Sequence, residues 1–202
     1  MPDDDHDHPI FARTWAALGS GVAGWRDRDT LVAGLSGRVI EVGAGDGLNF
    51  EHYPGTVTEV IAVEPEPRLR ARATERAATR TGITVVAGTA EQLPAEDASI
   101  DAVVACLVLC SVADQAVALA EMRRVLRPGG ELRFHEHVVA HGRAGATVQR
   151  VLDRSGVWPH LAAGCHLARD TEAAIRAAGF AISDLRRFGV VPHVAGRATP
   201  AR

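Results

Sequence analysis

Three glycines spaced two apart, Gly43, Gly45 and Gly47 in "RVIEVGAGDG", sit directly behind a run of β-branched apolar residues. A strand that turns abruptly into a helix leaves unpaired N–H groups at a positive dipole end. Glycines let a ligand approach that backbone without meeting a Cβ. The stretch reads as a ligand cradle. Its spacing is G-x-G-x-G with the acid Glu41 two residues ahead, whereas a dinucleotide fingerprint is G-x-G-x-x-G. Glu64 closes the next apolar run, "VTEVIAVE", 21 residues after Gly43, the place where an acid holds ribose hydroxyls. Cradle and acid together point to a ligand that contains a nucleoside.

A second group lies in "FHEHVV". Glu136 and His137 fall at the end of the fifth apolar run, where ligand crevices of open α/β sheets lie, and either could remove a proton from a thiol or hydroxyl. Strand alternation sends the two side chains to opposite faces, so one of them points at a substrate. His135, His137 and His141, with Glu136 beside them, are of metal-ligating type. No cysteine stands at zinc spacing from them, and no metal site is expected. Cys165, next to His166 in "GCHLARD", reads as part of a packed turn ahead of a helix, and Cys106 and Cys110 as wall and core thiols.

The elements that must position these residues follow a regular rhythm. Short Val/Ile-rich runs (38–43, 57–64, 83–88, 99–109 and 131–139) alternate with helical segments at 67–80 and 114–126, the second stopped by "RPGG". A helix over 171–178 is capped by Asp170 or Thr171 and ended by Gly179, and two strands follow as an antiparallel edge pair. The expected fold class is α/β: a doubly wound, mostly parallel seven-stranded sheet, Rossmann-like, with an antiparallel C-terminal edge and helices on both faces. Residues 1–37 are expected to form a helical N-terminal cover and 38–202 the main domain, with its core at 38–139. The segment 141–168 breaks the rhythm and is expected to be a lid or insertion over the sheet.

Composition narrows the chemistry further. The chain has 202 residues, 47% of them apolar and 23% charged, and no apolar run approaches the length of a membrane span. All twenty-two basic residues are arginine. That removes Schiff-base lysines, the Walker lysine and the Tyr-x-x-x-Lys pair of one dehydrogenase class. A net charge of −3 offers no basic field for nucleic acid, and the arginines between Arg68 and Arg80 read as a solvated helix face. Three cysteines are too few for a disulfide framework, and the acidic opening "MPDDDHDHP" is unlike a secretory leader. A cytoplasmic protein with neither membrane nor nucleic-acid partner is expected, its oligomeric state left open.

In their order, the motifs "EVGAGDG", "VEP", "GTAEQLPAEDASIDAVVACLVLCSV" and "EMRRVLRPGGELRF" resemble those of the class I S-adenosylmethionine-dependent methyltransferases, type 11 domain. "LVLCSV", "EHV" and "GCHLARDT" are similar to the subgroup that methylates alkyl thiols. The resemblance implies S-adenosyl-L-methionine as cofactor and in-line methyl transfer to a small-molecule acceptor, such as a thiol. It implies that the Gly43, Ala44, Gly45 and Gly47 backbone packs against the methionine moiety, that Glu64 holds the ribose, and that Glu41 and Pro65 belong to the same cofactor site. Thr89, Ala90 and Glu91 would face adenine, and Cys106 and Leu107 would line the cofactor channel with Ser111 nearby. Many relatives carry Asp where Thr89 stands; a hydroxyl accepts a hydrogen bond there without charge assistance. Two alternatives remain, a nicotinamide-dependent oxidoreductase on the same sheet and a non-catalytic cofactor binder.

Overall fold

Each Val/Ile-rich run becomes a strand because its side chains find apolar partners on both faces of one sheet. The computed structural model describes residues 28–162 and 164–201. The cover expected over 1–37 lies outside the described residues as far as residue 27. From there α1 (Arg28–Val32) leads into β1 (Gly37–Val42), β2 (Val57–Val63), α2 (Pro67–Ala77), β3 (Ile83–Val86), β4 (Ile100–Cys106), α3 (Gln115–Val125) and β5 (Leu126–His137). Then come α4 (Arg143–Arg154), α5 (Val157–Leu161), α6 (Thr171–Ala177), β6 (Phe180–Phe188) and β7 (His193–Pro200).

The strand order is β3-β2-β1-β4-β5-β7-β6. Strands β1 to β5 pair in parallel, and β7 pairs antiparallel with both β5 and β6. The expected doubly wound sheet with an antiparallel C-terminal edge is the observed one. The chain runs outward from β1 in one direction and from β4 in the other, so the crevice of the fold opens at the C-terminal ends of these two strands.

Two apolar layers hold the sheet. On one face Ile40, Val103, Leu132 and Phe134 pack with Leu119 and Met122 of α3 and Ile175 of α6, all fully buried. On the other, Val39, Val60 and Val104 pack with Leu31 and Val32 of α1, and Ala62 meets Ala73 and Ala77 of α2. Burial of each large aliphatic side chain contributes about 1.5–3 kcal/mol. Small residues on α2 let it sit close to the strands.

Local chemistry sets the helix starts. Glu66 accepts from Leu69 N at 2.6 Å with Pro67 just inside α2, and Asp114 accepts from Ala116 N and Val117 N at the head of α3. Asp170 accepts from Ala173 N at the head of α6, so it is Asp170, not Thr171, that caps.

Some boundaries differ from those read in the sequence. Strand β4 stops at Cys106 because Leu107 turns into a left-handed conformation (φ 60°). Strand β5 starts at Leu126, not at 131: "RPGG" ends α3 but continues as extended chain through a register shift opposite Ile100 and Ala102. The segment 141–168 contains α4 and α5.

Candidate active site

The cradle is built as the glycine spacing implies. Gly43, Gly45 and Gly47 all have positive φ (61°, 59° and 80°), a region side-chain-bearing residues avoid. Ala44 N donates to Val63 O at 3.1 Å, stitching the turn to the end of β2. A Cβ on Gly43 would fall 2.4 Å from Val108 Cγ2, so the loops after β1 and β4 touch directly at that glycine.

Glu64 closes the cradle from the β2 side. It is buried, and its two oxygens accept from Gly45 N at 2.7 Å and Glu66 N at 2.9 Å. Burial raises its carboxyl to about 6, opposed by those two N–H bonds. A carboxylate offers about four lone-pair sites, which leaves two for ligand hydroxyls. Bare backbone beside a buried acid with spare acceptors fits an amino-acid nucleoside.

Glu41 lies beneath the loop. Its oxygens accept from Asn49 Nδ2 and Tyr53 OH, both at 2.8 Å, and Arg28 in turn donates to Asn49 Oδ1. Burial lifts the Glu41 carboxyl to about 7, against the hydrogen bonds from Tyr53 and Asn49. Sequence reading gave Asn49, Tyr53 and Arg28 no role, since nothing in their spacing marks them as partners of Glu41.

On the far side, Thr89 bridges to Gln92 and Ala90 is buried in the core. Glu91 ties to the loop ahead of α3: its Oε1 accepts from Ala113 N and Asp114 N. Pro65 O accepts from Arg70 Nη1 at 2.7 Å. Leu107 and Cys106 stand at the end of β4; Leu107 N donates to His135 O at 2.7 Å, and burial pushes the Cys106 thiol up to about 12. Ser111 Oγ donates to Val108 O at 2.9 Å, within the same loop.

The Glu136 and His137 side chains diverge, as alternation requires. Glu136 is fully buried and turns under the loop after β4. Its Oε1 accepts from Val108 N and Leu109 N at 3.0 Å and its Oε2 from Cys110 N at 3.1 Å. Burial raises its carboxyl to about 7 against these three bonds. His137 is half-buried and lies beside Cys110 and Cys165, and its ring packs on His193 at a centroid distance of 4.2 Å. His135 is buried on the α1 face near Cys106 and is held neutral, burial lowering it to about 3. His141 is exposed. The cysteines expected in a packed turn and in the core do pack together, with Leu167 and Trp158 around Cys110 and Cys165.

Residues 40–134 match the family model described as a methyltransferase domain. The chain is 38% identical over 178 residues to the thiol S-methyltransferase TMT1B of Mus musculus, covering 82% of this chain and 72% of that protein. The chain belongs to the S-adenosylmethionine-dependent methyltransferases. The thiol S-methyltransferase TMT1A of Homo sapiens is 36% identical over 180 residues, with 82% of this chain and 72% of that protein covered. Among solved structures, an S-adenosylmethionine-dependent methyltransferase of Thermotoga maritima superimposes with a TM-score of 0.69 at 23% identity, over 96% of this chain and 99% of that one. That likeness speaks for the fold. A methyltransferase assignment disfavours the oxidoreductase alternative, and no helix among the described residues is long and apolar enough to cross a membrane.

Proposed function

We propose that this methyltransferase moves a methyl group from S-adenosyl-L-methionine to the sulfur of a small-molecule thiol, as a cytoplasmic enzyme acting on neither nucleic acid nor membrane. The cofactor reading is carried by one contact, the buried Glu64 carboxylate accepting from Gly45 N at the foot of the glycine turn. The thiol reading is supported by the names of the two animal relatives.

S-adenosylmethionine, when bound, supplies a methyl group already activated by its sulfonium. The protein's work is then alignment and exclusion of water. Gly43, Ala44, Gly45 and Gly47 present backbone to the methionine portion, and Glu64, beside Pro65, accepts from the ribose hydroxyls. Thr89 and Ala90 border adenine, with Glu91 holding the neighbouring loop instead of the base. Cys106, Leu107 and Ser111 shape the channel toward the acceptor. Glu41 keeps the turn in shape through Asn49 and Tyr53.

Of the two candidate bases, Glu136 is already committed to three N–H donors. It is a positioning residue for the loop after β4. His137, half-buried at the end of β5, is the group left to meet the acceptor. Helices α4 and α5 form the lid that selects the acceptor. Transfer of labelled methyl from S-adenosylmethionine to a panel of alkyl thiols, phenols and amines tests this reading. Label on thiols is expected; label on phenols or amines alone would contradict it.

A further inference from the structure

Cys110 lies in the loop after β4, His137 ends β5, and Cys165 precedes α6. Three segments distant in sequence bring two thiols and one imidazole nitrogen into a triangle. Its edges are 3.6 Å from Cys165 Sγ to Cys110 Sγ, 3.5 Å from Cys165 Sγ to His137 Nδ1 and 3.8 Å from Cys110 Sγ to His137 Nδ1. A tetrahedral zinc ion with Zn–S of about 2.3 Å and Zn–N of about 2.0–2.1 Å demands edges of about 3.8 Å between sulfurs and about 3.6 Å between sulfur and nitrogen. All three observed edges fall within 0.2 Å of those lengths. A disulfide would bring the sulfurs to about 2.05 Å and place no condition on the imidazole.

The surroundings hold the three groups in place. Glu136 accepts from Cys110 N, and His166 N donates to Cys110 O at 2.8 Å, which ties the two cysteine segments to each other. Asp153 of α4 accepts from Leu167 N and Ala168 N, anchoring the Cys165 segment from its other side. His193 packs its ring on His137 while its Nδ1 donates to Val191 O at 2.7 Å, so it steadies the His137 ring. Among the described residues no fourth thiol, imidazole or carboxylate joins these three, and a tetrahedral ion held by them has one corner for a further ligand.

We propose that Cys110, His137 and Cys165 bind one thiophilic divalent cation of the zinc class, and that its fourth position takes the sulfur of the acceptor thiol. Three protein ligands and one exchangeable position are the pattern of a catalytic zinc. Cys110 and Cys165 lose their thiol protons to solvent as the cation binds, and His137 then serves the acceptor as a ligand of the cation and not as a base. The acceptor's S–H bond breaks on binding and its proton leaves to solvent. The sulfur then forms a bond to the methyl carbon as the carbon–sulfonium bond breaks, giving a thioether and S-adenosylhomocysteine. A neutral thioether is the poorer ligand and departs. This use of the cation rests on the thiol reading of the acceptor; the cation site itself stands on the triangle alone.

The full chain, reduced and stripped with chelator, is titrated with Co(II) and then with Zn(II). One equivalent of Co(II) should bind, with thiolate-to-cobalt charge-transfer absorption in the near ultraviolet, and Zn(II) should displace it. Cys165→Ser should reduce that absorption and weaken Co(II) binding by about tenfold or more, and Cys110→Ser should do the same. Failure of the reduced wild-type protein to bind Co(II), or binding without thiolate bands, overturns the site whatever the variants do. A small alkyl thiol added to the Co(II) protein should shift the spectrum; an unchanged spectrum overturns the open position. A cation that binds in a protein that methylates phenols and no thiol leaves the site standing and overturns the thiol reading alone.

Discussion

Gly43 and Glu64 carry the most chemistry per residue. At Gly43 a methyl group meets Val108 at 2.4 Å on a backbone with φ of 61°. Gly43→Ala therefore combines left-handed strain with overpacking and should destabilise by about 2–4 kcal/mol in urea unfolding. Pairing it with Val108→Ala should recover the packing part and leave the backbone part. In the proposed site an ionised Glu64 is the stronger acceptor for the ribose hydroxyls, and its carboxyl is raised to about 6 by burial. Affinity for S-adenosylhomocysteine should accordingly hold above that pH and fall below it, levelling off at a loss no larger than about 1.5–3 kcal/mol, the contribution of hydrogen bonds to a charged group. Calorimetric titration across pH reads this, and a flat profile would remove Glu64 from the ligand. The glycine turn and Glu64 were legible in the sequence because both follow from local spacing. The partners of Glu41 were not, because Asn49 and Tyr53 reach it by the way the chain folds back after the turn.

At the scale of elements, the strands were legible from apolar runs and the helices from their punctuation. "RPGG" marks the end of α3 correctly, yet Pro and Gly are also compatible with the bulged extended chain that opens β5. The left-handed Leu107 that ends β4 early has no signal in its residue type. Cys110, His137 and Cys165 are 27 and 28 residues apart, a spacing that belongs to no local motif; only the neighbouring ends of β4 and β5, with the segment before α6, bring them together. Helices α4 and α5 expose Val148, Val151, Val157 and Leu161, so changes there should be cheap in stability and, under the proposed lid role, visible in recognition. Exchanging residues 143–161 for those of a relative should change the range of accepted thiols while leaving S-adenosylhomocysteine affinity within about twofold, well under 1 kcal/mol. An unchanged acceptor range would remove the lid role.

For the molecule as a whole, burial of acids under the cofactor turn links stability to pH. Glu41 is raised from its ordinary value to about 7 in the folded protein. Between the ordinary carboxylate pKa and about 7 the folded protein holds a proton that the unfolded chain has released. Stability from this group is therefore greatest below that window and is lost as pH rises through it. Glu41→Gln should flatten that part of the profile, read as urea midpoints at a series of pH values from 4.5 to about 7. An identical slope in both proteins would mean that Glu41 ionises freely in the fold.

The fold, the cofactor turn and the crevice between β1 and β4 support the proposal that S-adenosylmethionine lies on the Gly43–Gly47 backbone with its ribose on Glu64. Calorimetric titration of the wild-type protein and of Glu64→Ala with S-adenosylhomocysteine tests it most directly. One-to-one binding by the wild type and a loss of about 1.5–3 kcal/mol in the variant is the predicted result. Equal affinity in the two proteins, or no binding by a folded wild type, would contradict it.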